Sequence, residues 1–158
     1  MYPSPSQIPA DRRRRIAESL NAGLADGLDL HGHLKVAHWN VKGPLFPVLH
    51  PLFERLAGEL ASQNDAVAER AVTLGAPALG TARHVATASR IPEYPEDATR
   101  DLEHVRLLAE RFDAYLRGLR EARGVAEQCG DADTVDLLTE AVSATEKNAW
   151  FLLATAGG

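Results

Sequence analysis

Five side chains in the first half of the chain have the types and spacing to hold a metal ion: His38, His50, Glu54, Asp65 and Glu69. Residues 38 to 56 read HWNVKGPLFPVLHPLFERL, and DAVAE follows at 65 to 69. Imidazole nitrogen and carboxylate oxygen together suit Fe(II), Mn(II) or Zn(II) better than Mg(II) or Ca(II), which favour all-oxygen sets. If coordination positions stayed open, iron held there would react with an oxidant. On one helix, Glu54, Asp65 and Glu69 fall about 40°, 60° and 100° around the axis from His50, so all four share a face. His50 with Glu54 and Asp65 with Glu69 are i,i+4 neighbours. A solvated charged face would use the same residue types, and spacing alone does not decide between the two.

The two pairs cannot meet within one straight helix, because Glu54 and Asp65 are separated by roughly 16 Å of rise. They would meet if the helix packed antiparallel against its own copy across a two-fold axis near Leu60. His50 and Glu54 of one chain would then face Asp65 and Glu69 of the other, giving two equivalent sites per dimer. Such an isologous contact is the commonest oligomer symmetry. Converging imidazoles and carboxylates on a buried seam are costly without compensation, and a divalent cation supplies it.

Four long helical patterns position these residues. The first is predicted from Asp11 to Asn40, with Ile16, Leu20, Leu24, Leu28, Leu34 and Ala37 near helical spacing, and Gly43 and Pro44 end it. The second is predicted from near Pro47 to Gly75, with Pro51 close to its first turn. A long connection follows, in which Thr81 to Ser89 reads as a short helix. The third is predicted from Asp97 to Gln128 and the fourth from Asp133 to Thr155, the latter carrying Leu137, Leu138, Val142 and the Trp150–Phe151 pair. Little else reads as strand, so the fold class is all-α, a four-helix bundle with a short extra helix between its second and third long helices. Residues 1–10 read as a flexible N-terminal tail and 11–158 as one domain.

Composition narrows the function classes. Hydrophobic residues make up 45% and charged residues 25%, ordinary for a globular protein. No run approaches the roughly 20 apolar residues of a membrane span, and the opening MYPSPSQIPA lacks the apolar stretch of a signal peptide. One cysteine, Cys129, cannot staple the fold and suits a reducing cytoplasm. A net charge of −5 and only three lysines, Lys35, Lys42 and Lys147, weaken a nucleic-acid role, leaving Arg12 to Arg15 as the basic run.

The segments LKVAHWNVKGPLFPVLHPLFERL, DAVAERAVTLGAPALGT and DTVDLLTEAVSATEKNAWFLL closely resemble the Dps family, the miniferritins or DNA-binding proteins from starved cells. The similarity runs from about Arg12 to Leu153, and its HWN-x-x-G…LH…D-x-x-x-E pattern is highly specific. The resemblance implies a ferritin-like bundle and an iron site at the two-fold interface. His38, His50 and Glu54 would come from one subunit, and Asp65 and Glu69 from its partner. The family more usually has aspartate at the position of Glu54, so the extra methylene puts the geometry of the site in question. Trp39, beside His38, matches a family tryptophan near the iron centre. The resemblance further implies a hollow dodecamer with ferroxidase activity, which oxidises Fe(II) preferentially with hydrogen peroxide and stores ferric mineral. Asp136, and less closely Asp133 and Asp131, match carboxylates lining the family's three-fold pore, although acids at a helix start are expected from the dipole alone.

The other candidates are weaker. His31 and His33 lie on different helix faces, and His84 and His104 lack an aligned carboxylate; all four read as structural or surface residues. Met1 is the sole methionine, which excludes methionine-ligated haem, and the paired E-x-x-H ligands of larger ferritins are missing. DNA binding, with nucleoid association, is the main rival. Yet the lysine-rich tail that family members use for it is missing, and a twelve-subunit shell would carry about −60. A structural helical oligomer whose stripe is an interface charge network is the third reading.

Overall fold

The apolar repeats fold into helices close to the expected bounds. In the computed structural model, which describes residues 1–157, α1 spans Ala10–Asn40, α2 Phe46–Thr73, α3 Ala82–Ala88, α4 Asp101–Cys129 and α5 Ala132–Ala156. Helix α1 packs on α2 and α4, and α5 packs on α4 and α2, which closes a four-helix bundle; α3 lies against α1. The core between them holds Ile16, Leu34, Phe53, Leu56, Phe112 and Leu119, each almost fully buried. Among the described residues there is no strand, only a single bridge between Lys42 and Arg100. No helix among them is long and apolar enough to cross a membrane.

The α1–α2 turn is built around a glycine and a carboxylate. Helix α1 ends where Val41 becomes extended (φ −58°, ψ 132°). Lys42 then donates its N–H to the Thr99 carbonyl (2.8 Å) and accepts from the Asp101 N–H (3.0 Å). Gly43 takes φ 134°, a conformation costly to other residues, and a Cβ there would sit 2.4 Å from Asp101 Oδ2. That same oxygen accepts the Leu45 N–H at 3.0 Å. The N–H donors of Leu45 and Leu102 hold the Asp101 carboxyl below its ordinary range. The start of α4 thus fixes the turn, and α4 begins four residues later than expected because Thr99 is occupied by this pairing.

Three further features stand out near the ends of the helices. Helix α2 starts at Phe46, so Pro47 occupies its first turn and Pro51 lies one turn inside. The bond that Pro51 cannot make frees the carbonyl of Pro47, whose exposed position leaves it open to water. On α5, Trp150 (60% exposed) and Leu153 (52%) stand outside the bundle. The first nine residues, expected as a tail, lie along the end of α2. Tyr2 N–H donates to the Gly75 carbonyl (2.6 Å) and Ser4 Oγ to the Thr73 carbonyl (2.6 Å).

The long connection is pinned by a buried acid. Asp26 on α1, 1% exposed, accepts from the Arg90 N–H (2.7 Å), Nε (3.0 Å) and a terminal guanidinium nitrogen (2.7 Å). Gly118 of α4 makes room for this pair: a Cβ there would lie 2.5 Å from the guanidinium and 2.9 Å from the carboxylate. Alanine gains about 1 kcal/mol over glycine within a helix. Displacing the partner of a buried carboxylate costs about 3 kcal/mol. Gly118→Ala is therefore expected to destabilise the fold by about 2 kcal/mol in urea unfolding; a stabilised variant would show that the pair yields freely.

Candidate metal centre

His38 sits in the last turn of α1 and His50 in the second turn of α2, face to face across the turn. Their rings stack with centroids 3.8 Å apart and planes inclined by 23°. His38 Nδ1 lies 2.8 Å from the His50 carbonyl, and His50 Nδ1 lies 2.8 Å from the His38 carbonyl. A carbonyl only accepts, so both Nδ1 atoms carry the proton and donate. The His38 carbonyl belongs to the last turn of α1, where no helical N–H remains to meet it, and the imidazole of His50 fills that role. The consequence is chemical. In each neutral ring the lone pair is left on Nε2, the arrangement that a hydrogen bond at the other ring nitrogen imposes on metal-binding histidines.

Glu54 completes this group. Its Oε2 is 3.5 Å from His38 Nε2, and its side chain is 55% exposed. The same oxygen bonds the Nζ of Lys35, one turn before His38 on α1. That bond holds the Glu54 carboxyl below its ordinary range. Lys35 also lies 5.8 Å from the centre of the Trp39 ring, which is 67% exposed beside the site. The longer arm of glutamate thus reaches an ammonium that shares the position a cation would take.

Asp65 and Glu69 lie further along α2, both exposed and apart from the histidines. Asp65 lines a cleft of about 410 Å³ between α1, α2 and the following loop, together with Leu24, Leu28, His31 and Asn64. Asn64 is 4% exposed, and neither of its amide atoms has a partner. Among the described residues, no three histidine, cysteine or acidic side chains close on one point within a single chain. One chain therefore presents two separated groups: His38, His50 and Glu54 at the turn, Asp65 and Glu69 along the helix. The donor set of the first group suits a divalent ion of the first transition row.

A profile of the ferritin-like domain matches residues 17–157. The DNA protection during starvation protein of Agrobacterium fabrum is 33% identical over 147 residues, covering 93% of this chain and 91% of that protein. The chain belongs to the Dps family. Two solved structures agree. DpsC from Streptomyces coelicolor superposes with a TM-score of 0.91 at 34% identity, over 97% of this chain and 90% of that one. The Dps protein of Vibrio cholerae, described as one of the ferritin-like diiron-carboxylate proteins, gives a TM-score of 0.91 at 27% identity, over 98% and 96%.

The remaining candidates of this Dps-family chain separate by burial. Asp131, expected with the pore carboxylates, is 2% exposed and serves as the N-cap of α5, accepting the Thr134 N–H at 3.2 Å. Burial opposes its ionisation, but bonds from Thr134 and Arg70 (2.7 Å) outweigh that and keep it below the usual range. Its oxygens are taken by internal bonds, so it is not free to meet an ion. Asp133 is 88% exposed in its side chain, and Asp136 opens on a groove with Glu140 and Lys147. In the basic run, Arg13 is also spent internally, donating to the Ile8 (3.0 Å) and Leu74 (2.9 Å) carbonyls. Only Arg12, Arg14 and Arg15 stay exposed.

Sequence reasoning missed two residues. Lys35 stands three before His38, and that helical spacing was the signal for its reach into the site. His31 stands seven before His38, hence on the same face of α1, and it shares the cleft of Asp65. If Lys35 competes with a cation for Glu54, Lys35→Met should tighten the binding of Zn(II) or Co(II) about two- to fivefold by calorimetry, the range of an exposed ion pair. Unchanged affinity would remove Glu54 from the ligand set.

Proposed function

We propose that this chain stores and detoxifies iron as a ferroxidase. Fe(II), its substrate, binds between two copies of the chain. His38, His50 and Glu54 of one copy and Asp65 and Glu69 of the other supply the ligands. The observation that carries this reading is the reciprocal bonding of His38 and His50, which leaves both Nε2 lone pairs free, that of His38 3.5 Å from the Glu54 carboxylate. A plain charge network needs no particular tautomer, whereas a metal needs the Nε2 lone pairs that this bonding leaves. The wide separation of the two groups on α2 supports a two-fold pairing, since a single chain cannot close the site.

Two Fe(II) and one hydrogen peroxide, with two protons, give two Fe(III) and two waters. Taking both electrons at one site avoids release of hydroxyl radical, which is why peroxide is the preferred oxidant in this reading. The ferric product collects as mineral inside a dodecamer assembled from the two-fold dimers, in the cytoplasm. Trp39, at the rim, packs the interface and meets stray oxidant. DNA protection, the activity in the name of the Agrobacterium relative, is the second reading. It is disfavoured by the net charge of −5 and by the internal use of Arg13.

The deciding experiment is anaerobic loading with Fe(II), about two per site, then stopped-flow mixing with peroxide or dioxygen. The native chain should oxidise iron fastest with peroxide. The double variant Asp65→Asn, Glu69→Gln should lose at least about tenfold in rate, the lower bound for damage to a metal site, while still assembling. Loss of assembly with no change in iron chemistry would favour the charge network.

Asp133 and Asp136 form the ingress path for Fe(II), as acids at a pore mouth raise local cation concentration. Asp136→Asn should slow iron uptake about tenfold at low salt, with the gap narrowing as salt rises. Equal uptake curves at low salt would place the path elsewhere.

A further inference from the structure

Packed against Phe53 of α2 lies a buried aromatic cluster that the iron reading does not use. Tyr94, from the connection before α4, is 8% exposed, and its hydroxyl lies 2.6 Å from His104 Nδ1. The two rings are nearly parallel, with planes 9° apart and centroids 5.9 Å apart. His104 is fully buried, and its Nε2 has no partner. Burial lowers its pKa, so the ring is neutral and its Nδ1 lone pair accepts the phenolic O–H. The guanidinium of Arg111 sits 5.1 Å over the Tyr94 ring. On the other side, Phe53 meets His104 edge-on at 6.4 Å, and Phe53 directly precedes Glu54 on α2. A line of rings therefore runs from the Glu54 end of α2 through Phe53 and His104 to Tyr94.

We propose that Tyr94 and His104 form a redox relay that takes up one-electron oxidising equivalents arising at the iron site. The proposal takes its oxidant from the iron–peroxide reading. When Fe(II) gives peroxide only one electron, the products are Fe(III), hydroxide and a hydroxyl radical. An electron leaving Tyr94 reduces that radical to hydroxide. The phenolic O–H bond breaks, its proton forms an N–H bond at His104 Nδ1, and Tyr94 becomes a neutral radical. A further Fe(II) returns the electron and becomes Fe(III), and His104 returns the proton. The net change converts one hydroxyl radical and one Fe(II) into hydroxide and Fe(III).

Three features favour this over a merely structural hydrogen bond. A basic nitrogen on the hydroxyl gives the proton a place to go, whereas a carbonyl partner would not. The Arg111 charge over the ring penalises a radical cation, so the electron leaves only together with the proton. The protonated imidazole would be buried with Nε2 unpartnered, so the proton is readily handed back. Tyr115 supplies the contrast within the same chain. It is 1% exposed, but its oxygen accepts from Gln63 Nε2 at 2.9 Å and no imidazole faces it.

The test is freeze-quench electron paramagnetic resonance on the assembled protein carrying ring-deuterated tyrosine, which identifies a tyrosyl signal. In one arm Fe(II)-loaded protein meets peroxide; in the other, iron-free protein meets a photogenerated ruthenium polypyridyl oxidant. The native chain should give a tyrosyl radical, Tyr94→Phe should lose it, and Tyr115→Phe should keep it. The double variant Tyr2→Phe, Tyr115→Phe keeps Tyr94 as the sole tyrosine and decides the matter should Tyr94→Phe fail to fold. His104→Asn should diminish the signal although Tyr94 remains. A native-level signal in Tyr94→Phe, or none in the double variant in either arm, overturns the relay. A Tyr94 radical in the photochemical arm, with no iron oxidation in the other, would keep the redox pair and sink the iron reading instead.

Discussion

The closed end of the α1–α2 hairpin is where one helix runs out of hydrogen bonds, and the site is built from that deficit. The last carbonyls of α1 have no helical donors. His50 answers the carbonyl of His38, and His38 answers in kind. The exchange stacks the two rings, fixes both tautomers and sets both Nε2 lone pairs on the open side. A structural requirement and a ligand geometry are met by the same four atoms. Asp101 makes this possible at a distance by holding Gly43 and Leu45 against the start of α4, so the turn cannot slide and carry the rings apart.

Charge around the pair is arranged with less economy. Glu54 is long enough to reach Lys35, whose ammonium bonds its carboxylate. That contact is exposed and therefore weak, so it opposes the proposed binding of a divalent ion only slightly. The buried acids behave differently. Asp26 and Asp131 are each held by an arginine and by backbone N–H groups, and each fixes an element rather than a ligand: the connection after α3 in one case, the start of α5 in the other. Exposure is what separates carboxylates that can do chemistry here from those that hold the fold.

Much of this was legible in the sequence, because helices repeat and repeats can be read. The four long helices follow from apolar spacing, with Gly43, Gly75 and Gly130 marking the ends, whereas the short one was read from the length of its connection. His50 and Glu54 could be grouped by their i,i+4 spacing, and His38 joined them through the family motif. The bonds that set their geometry could not, since nothing in residue type shows that a carbonyl will be left over at His38. Asp131 read as a pore acid because an acid at a helix start serves a cap and a surface equally well; only burial distinguishes them. The start of α4 was misplaced because Thr99 pairs with Lys42, 57 positions away in the chain. The Tyr94–His104 contact was invisible for a related reason: it joins a loop to a helix, with no periodicity to announce it.

The proposed division of the site between copies has a consequence for the interior behind it. Each half must stay in register without the other, so the support for His38 and His50 comes wholly from within the chain. That support is a dense apolar wall, with Phe53 fully buried directly under the Glu54 end of α2. Apolar packing excludes water from the back of the site and keeps oxidising chemistry on its open face. It also places rings close together, and closely packed rings conduct electrons better than aliphatic side chains do. A purely aliphatic wall would confine a stray radical to the rim, where Trp39 stands exposed. The line of Phe53, His104 and Tyr94 instead opens an inward route, and the imidazole at its end takes the proton that must travel with the charge.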